Sequence, residues 1–260
     1  MPQLWRRRPK LPNVVAPLVA IAFARLAFAV SPLTTDDADT VERGHLQLNA
    51  GWQLSRTGSA SLHTVPVNPV IGLSSRGELG VTLGYQRWDG FTPVAHEDDP
   101  SGATDLTLDT KWRMRAYSAE GINVSVRLDL KVPTASERRG LGTGHVDVGP
   151  VVIGTRTWDR ASFDWNVGYT VVDASRGVLG DDVWFLGQAV RYQATERLTM
   201  MGETYGLLPN STRGGSANGY FSGGAQFVVT ENLLLSVLVG TAVGRNSADL
   251  TGYLGFTMQS

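Results

Sequence analysis

Two stretches of the chain put ionisable side chains at every second residue, a spacing that gathers them on one side of an extended strand. In the first, Asp105, Thr107, Asp109, Lys111, Arg113 and Arg115 alternate with Leu106, Leu108, Thr110, Trp112 and Met114. In the second, Asn123, Ser125, Arg127, Asp129 and Lys131 alternate with Ile122, Val124, Val126, Leu128, Leu130 and Val132. Around a turn at 117–120, a register that keeps like faces together sets Asp109 opposite Arg127, Asp105 opposite Lys131 and Arg113 opposite Asn123. Opposite charges across a ladder contribute only ~0.2–1 kcal/mol per pair. Their interest therefore lies in what they would line. Around a water-filled passage, Lys111, Arg113, Arg115, Arg127 and Lys131 would bias it toward anionic or polar solutes, partly neutralised by Asp105, Asp109 and Asp129. The alternative is that these eight groups only solvate or plug an interior.

Other chemistry finds little support. The histidines are His45, His63, His96 and His145. His145-Val146-Asp147 places an imidazole and a carboxylate on one side of a strand, but no serine in a nucleophile setting accompanies them. Gly140-Leu141-Gly142-Thr143-Gly144 has the look of a phosphate loop, yet neither a lysine-serine/threonine pair nor a helix comes after it. It reads as a flexible loop, as does Gly214-Gly215-Ser216-Ala217-Asn218-Gly219. Glu97-Asp98-Asp99 is a solvated acidic tip rather than a cation site. No catalytic residue, metal site or cofactor is expected, and the chain does not read as an enzyme.

The elements that must carry the charged faces are strands. Period-two alternation dominates and helical periodicity is hard to find. It opens with Leu46, Leu48, Ala50, Trp52 and Leu54 set against His45, Gln47, Asn49, Gly51, Gln53 and Ser55. About twelve strands are expected, at 44–56, 61–73, 77–88, 103–116, 121–132, 145–158, 161–173, 182–194, 197–208, 219–230, 232–244 and 248–258. Alternation is poor in 182–194 and 197–208. A bulge at Gly149-Pro150, flipping the facing of the strand beyond it, is expected because proline cannot donate to a ladder. Links at 74–76, 117–120, 159–160, 195–196 and 231 are short, and those at 89–102, 133–144, 174–181 and 209–218 are longer. A soluble sandwich alternates equally well. Long links gathered at one end instead suit a closed, antiparallel, up-and-down transmembrane β-barrel of the all-β class. Trp88, Trp112, Trp158, Trp165 and Trp184 near strand ends suit interfacial girdles.

The start of the chain fits export. Arg6, Arg7, Arg8 and Lys10 precede an apolar run from Leu11 to Phe23, and Ala27-Phe28-Ala29 offers a small-x-small cleavage pattern. This predicts a signal peptide at 1–29, a periplasmic segment at 30–43 and a barrel at 44–260. No later segment approaches the ~20 consecutive apolar residues of a spanning helix. The absence of cysteine is compatible with export. Residues 1–29 hold five bases and no acid, so without them the net charge falls from -1 to about -6, against nucleic-acid binding.

The stretch Ser31-Pro32-Leu33-Thr34-Thr35-Asp36-Asp37-Ala38-Asp39-Thr40-Val41-Glu42-Arg43-Gly44 resembles the start of a family of outer-membrane transporters named for the meta-cleavage pathway of phenol degradation. Pro32-Leu33, Thr35-Asp36-Asp37 and Gly44 carry the likeness. The chain departs from the terminal aromatic on which such barrels often close, ending Phe256-Thr257-Met258-Gln259-Ser260 with Phe256 in its place. The resemblance implies the outer membrane as location, its lipid and a small-molecule solute as partners, and transport of small solutes, hydrophobic or aromatic by the family's name. A structural or surface-interaction barrel with a plugged lumen, and a soluble periplasmic β-protein, are the alternatives.

Overall fold

The computed structural model describes residues 32–90, 100–115, 117–118, 121–172, 182–210, 217–244 and 247–260. The strands are β1 (Leu46–Thr57), β2 (Ala60–Gly72), β3 (Gly77–Asp89), β4 (Ser101–Ala103), β5 (Leu106–Arg113), β6 (Ile122–Val132), β7 (Asp147–Trp158), β8 (Ala161–Val172), β9 (Val183–Gln193), β10 (Leu198–Pro209), β11 (Asn218–Thr230), β12 (Leu233–Gly244) and β13 (Leu250–Gln259). β4 and β5 both pair with β3 and are separated by Thr104 and Asp105 alone, so they form one interrupted stave of twelve. Every strand-to-strand pairing among the described residues is antiparallel, and β1 joins β13 over ten residue pairs from Gln47↔Gln259 to Arg56↔Leu250. With β2 paired to β3, the sheet closes on itself, and closure removes the unpaired edge that would otherwise invite aggregation.

Alternation sets the two faces. On β1, Gln47 is buried inside the ring while Leu46 and Trp52 are exposed outside. The same outward exposure holds for Leu79, Leu83, Leu128, Val152, Val190, Leu235, Val239 and Leu254, the last two at 58% and 57%. In water a continuous apolar surface of this extent would drive aggregation. In hydrocarbon it is solvated, and the closed ladder pairs the backbone groups of the wall with one another instead of with water. The molecule is a membrane-spanning barrel. Trp112 and Trp158 lie exposed at the short-turn end. Trp184, against Tyr169 at 4.7 Å between ring centroids, lies at the other, so aromatics mark both rims.

Three local expectations fail for identifiable reasons. In the β5–β6 hairpin the partners are Asp109↔Asp129, Lys111↔Arg127, Arg113↔Ser125 and Thr107↔Lys131, two residues away from the expected register. Asn123 does not face Arg113. Its side chain closes the turn instead, accepting from the Ser118 N–H at 2.8 Å and donating to the Ser118 carbonyl at 2.9 Å. Gly149-Pro150 makes no flip, because the β6–β7 ladder runs in one register from Lys131↔Asp147 to Ile122↔Arg156. Pro150 faces outward, and its missing N–H interrupts only the pairing to β8. Gly140–Gly144 is not an open loop: after a short 3-10 turn at Glu137–Arg139, Leu141 is buried within the rim, where a Cβ on Gly102 would collide with it.

Candidate functional site: an occupied lumen

Residues 32–43, expected on the periplasmic side ahead of the barrel, lie within the ring and touch strands all around it. The chain leaves the lumen at Gly44, whose φ of 81° is a conformation glycine adopts without cost. There its N–H donates to the Gly72 carbonyl at 2.8 Å. Gly72 has no room for a side chain, since a Cβ would collide with the Glu42 carbonyl.

A segment outside the ladder must satisfy its backbone elsewhere, and here wall side chains do it. The Thr34 and Thr35 N–H groups donate to Glu203 Oε2 at 3.0 and 2.9 Å. Asn166 clamps Asp36, accepting from its N–H and donating to its carbonyl, both at 2.8 Å. The Ala38 N–H donates to Thr155 Oγ1 at 2.9 Å, which donates in turn to Asp164 at 2.7 Å. Ser125 donates to the Ala38 carbonyl, and the Val41 N–H donates to Glu78. Two apolar seats complete the fit. Leu33 packs among Ala189, Met201, Leu238 and Tyr253, and Ala38 packs against Val151 and Ile153.

Charge adds the strongest contacts. Lys111, 2% exposed, sits between Asp36 at 3.2 Å and Glu78 at 3.3 Å. Arg127 reaches Asp36 at 2.8 Å and Asp129 at 2.9 Å. Arg191 holds Asp164 with two bonds, at 2.9 and 3.0 Å, and Asp37 at 3.2 Å. Arg113 approaches Asp39 at 3.6 Å and donates to the Ser75 carbonyl at 2.8 Å. Buried cations need such partners, because an unpaired charge in a low-dielectric interior costs several kcal/mol (about 3–5) when its partner is removed.

Of the residues singled out in sequence, Asp109, Lys111, Arg113, Arg127 and Asp129 share the inner face of β5 and β6. Asp105 and Lys131 lie at the long-link rim. There Asp105 accepts from the Ala135 and Thr143 N–H groups at 3.0 and 3.1 Å, while Lys131 pairs with Asp147 and, at 3.8 Å, with Asp105. Arg115 lies exposed beyond the end of β5. His145 is buried next to this rim, and Asp147 is engaged by Lys131, so the two form no catalytic pair. At the same rim Asp182 accepts from the Tyr169 hydroxyl at 2.7 Å and the Val172 N–H at 3.1 Å, bonds that hold its carboxyl below the ordinary carboxylate range. The acidic tip at 97–99 and the glycines at 214–216 lie outside the described residues. Sequence reasoning missed Glu78, Thr155, Asp164, Asn166, Arg191 and Glu203. Their signal was faint, single polar residues on inward positions of weakly charged strands.

Beside the segment a cavity of about 310 Å³ remains, lined among others by Gln47, Asn49, Gln53, Asn68, Asp109 and Tyr253. On the opposite side the Tyr205 and Tyr220 rings stack at 4.5 Å with Phe185 5.9 Å from Tyr205.

A closed barrel with an apolar exterior and a polar, partly filled lumen defines the architecture of outer-membrane channels. The chain belongs to the family described as "Putative MetA-pathway of phenol degradation", whose profile matches residues 29–259. Its fold is similar to that of an outer membrane channel from Pseudomonas putida F1, with a TM-score of 0.72, 15% identity, and 86% of this chain and 98% of that one covered. It is also similar to the KdgM porin (TM-score 0.55, 9% identity, 82% and 98% covered) and to the CymD monoaromatic hydrocarbon channel (0.50, 7%, 84% and 89%). No curated protein matches the chain in sequence.

Proposed function

We propose that the chain is an outer-membrane channel for small solutes, with the short turns and termini toward the periplasm and the long links outward. The observation that carries this reading is the residual cavity of about 310 Å³, walled by polar side chains in a barrel whose ladder is closed. Lipid solvates the outer face. The aromatic shelf of Phe185, Tyr205 and Tyr220 favours small aromatic solutes, in keeping with the family's name and with the solute named for one structural neighbour. Polar groups in the lumen serve to dock the segment and line the passage, and the reading is of a conduit rather than an enzyme.

Planar-bilayer recordings test it. Discrete conductance steps are expected from the full barrel, and larger steps from a variant lacking residues 33–40. A second reading, a structural barrel with a filled lumen, is favoured by the number of buried bonds that seat the segment. Silence of the full barrel in the same recordings would select it.

A further inference from the structure

We infer that the occupied lumen passes cations in preference to anions, the reverse of the bias that its row of lysines and arginines suggests. The inference rests on the channel reading above and concerns the charge of the solute that reading admits.

The ionisable groups lining the residual cavity are Asp36, Glu78, Asp109, Asp129, Lys111 and Arg127. Four are acids and two are bases. Both bases are already engaged, each by two carboxylates: Lys111 by Asp36 and Glu78, Arg127 by Asp36 and Asp129. Neither has a field left over for a passing anion. Asp109 is in the opposite state. It faces the cavity from mid-strand on β5, its ladder partner is the acid Asp129, and it forms no ion pair with any described residue. Gly80 across the β3–β5 ladder leaves its carboxylate room, because a Cβ there would come within 2.5 Å of Asp109 Oδ2.

The N-terminal segment deepens the asymmetry. Asp36, one of the four acids already counted, comes from it, and its Asp37 and Asp39 occupy the wall cations Arg191 and Arg113. A narrow cleft with low-dielectric walls focuses such a field and concentrates counter-ions by about 10-fold or more. Acid-lined constrictions are the ordinary way in which channels favour cations. The segment that narrows the passage thus adds to an excess of acid that the wall already carries, Glu78, Asp109 and Asp129 against Lys111 and Arg127, and Asp109 is the carboxylate a passing cation meets.

Recordings on the full barrel across a potassium chloride gradient provide the test. The reversal potential is expected to move toward the potassium equilibrium value. Asp109→Asn preserves shape and removes no ion pair, so it should lower the potassium-to-chloride permeability ratio by about threefold. A reversal potential displaced toward chloride overturns the inference and leaves the channel reading standing. An unchanged ratio in Asp109→Asn overturns the role given to that residue. Absence of any conductance defeats the channel reading, and the inference with it.

Discussion

On the β13–β1–β2–β3 side of the lumen, amides satisfy one another. Gln259 donates to Gln47 at 2.7 Å, Gln47 to Asn49 at 3.1 Å, Asn49 to Asn68 at 3.1 Å and Asn68 to Thr82 at 3.0 Å. On the β5–β9 side, Lys111, Arg127 and Arg191 each combine one wall carboxylate with one from the N-terminal segment. The difference arises from the inventory of donors and acceptors. An amide carries both and can close a chain with its like, whereas a cation carries donors alone and must find acids. The amide side is complete without the segment, and the cavity remains there. The ionic side is complete only with the segment, and that is where the segment docks.

The contrast is broken most severely by Lys111→Met, which leaves Glu78 without its cation and Asp36 with Arg127 alone. Removing one member of a buried charge cluster costs about 3–5 kcal/mol. Here the cost falls on docking, since no ladder bond is touched and the barrel should stay closed and heat-modifiable. The chain has no cysteine, so Ala38→Cys provides a single reporter at a position that is 0% exposed within the docked segment. Maleimide labelling of that thiol should quicken by about 100-fold or more when Lys111→Met is added, each 1.4 kcal/mol being tenfold. Labelling that stays as slow as in the parent would mean that charge is not what holds the segment. Asn166→Ala comes next. It removes both bonds that clamp the Asp36 backbone, costing about 1–3 kcal/mol, and should quicken labelling by about 10-fold.

How much of this could be read in the sequence divides along the same line. The staves were legible because hydrocarbon outside and water inside force a period of two, as in Ile122–Val132. That pattern fades in β9 and β10, where the inner face carries Phe185, Gly187 and Ala189, then Met201 and Tyr205. Those positions pack against Leu33, Thr35 and their neighbours instead of meeting water. The segment left no periodic trace. Apart from an isolated bridge between Arg43 and Gly72 it pairs with no strand, and it hangs on side chains from seven different ones. The register of β5 against β6 was not legible either. Like faces stay together at any even shift, and the choice fell to Asn123 closing the turn. What the chain did display was Asp36, Asp37 and Asp39 next to a barrel rich in inward cations. Charge complementarity between the two was the available clue to the occupied lumen.

The mildest test sits on the amide side. Asn68→Ala breaks the chain in its middle, leaving Asn49 without its acceptor and Thr82 without its donor. A neutral hydrogen bond contributes about 0.5–1.5 kcal/mol net, and the adjoining cavity can supply water to the groups left behind. Barrel stability in a denaturant titration should therefore fall by about 1 kcal/mol. The shorter side chain also enlarges the cavity, so conductance should rise modestly. Labelling of the Ala38→Cys thiol should stay at the parental rate, because the Asn68 amide bonds to the wall residues Asn49 and Thr82 rather than to the segment. Release of the segment by Asn68→Ala on the scale of Lys111→Met would show the two sides to be coupled, and would defeat the division between a self-sufficient amide wall and an ionic wall that depends on its occupant.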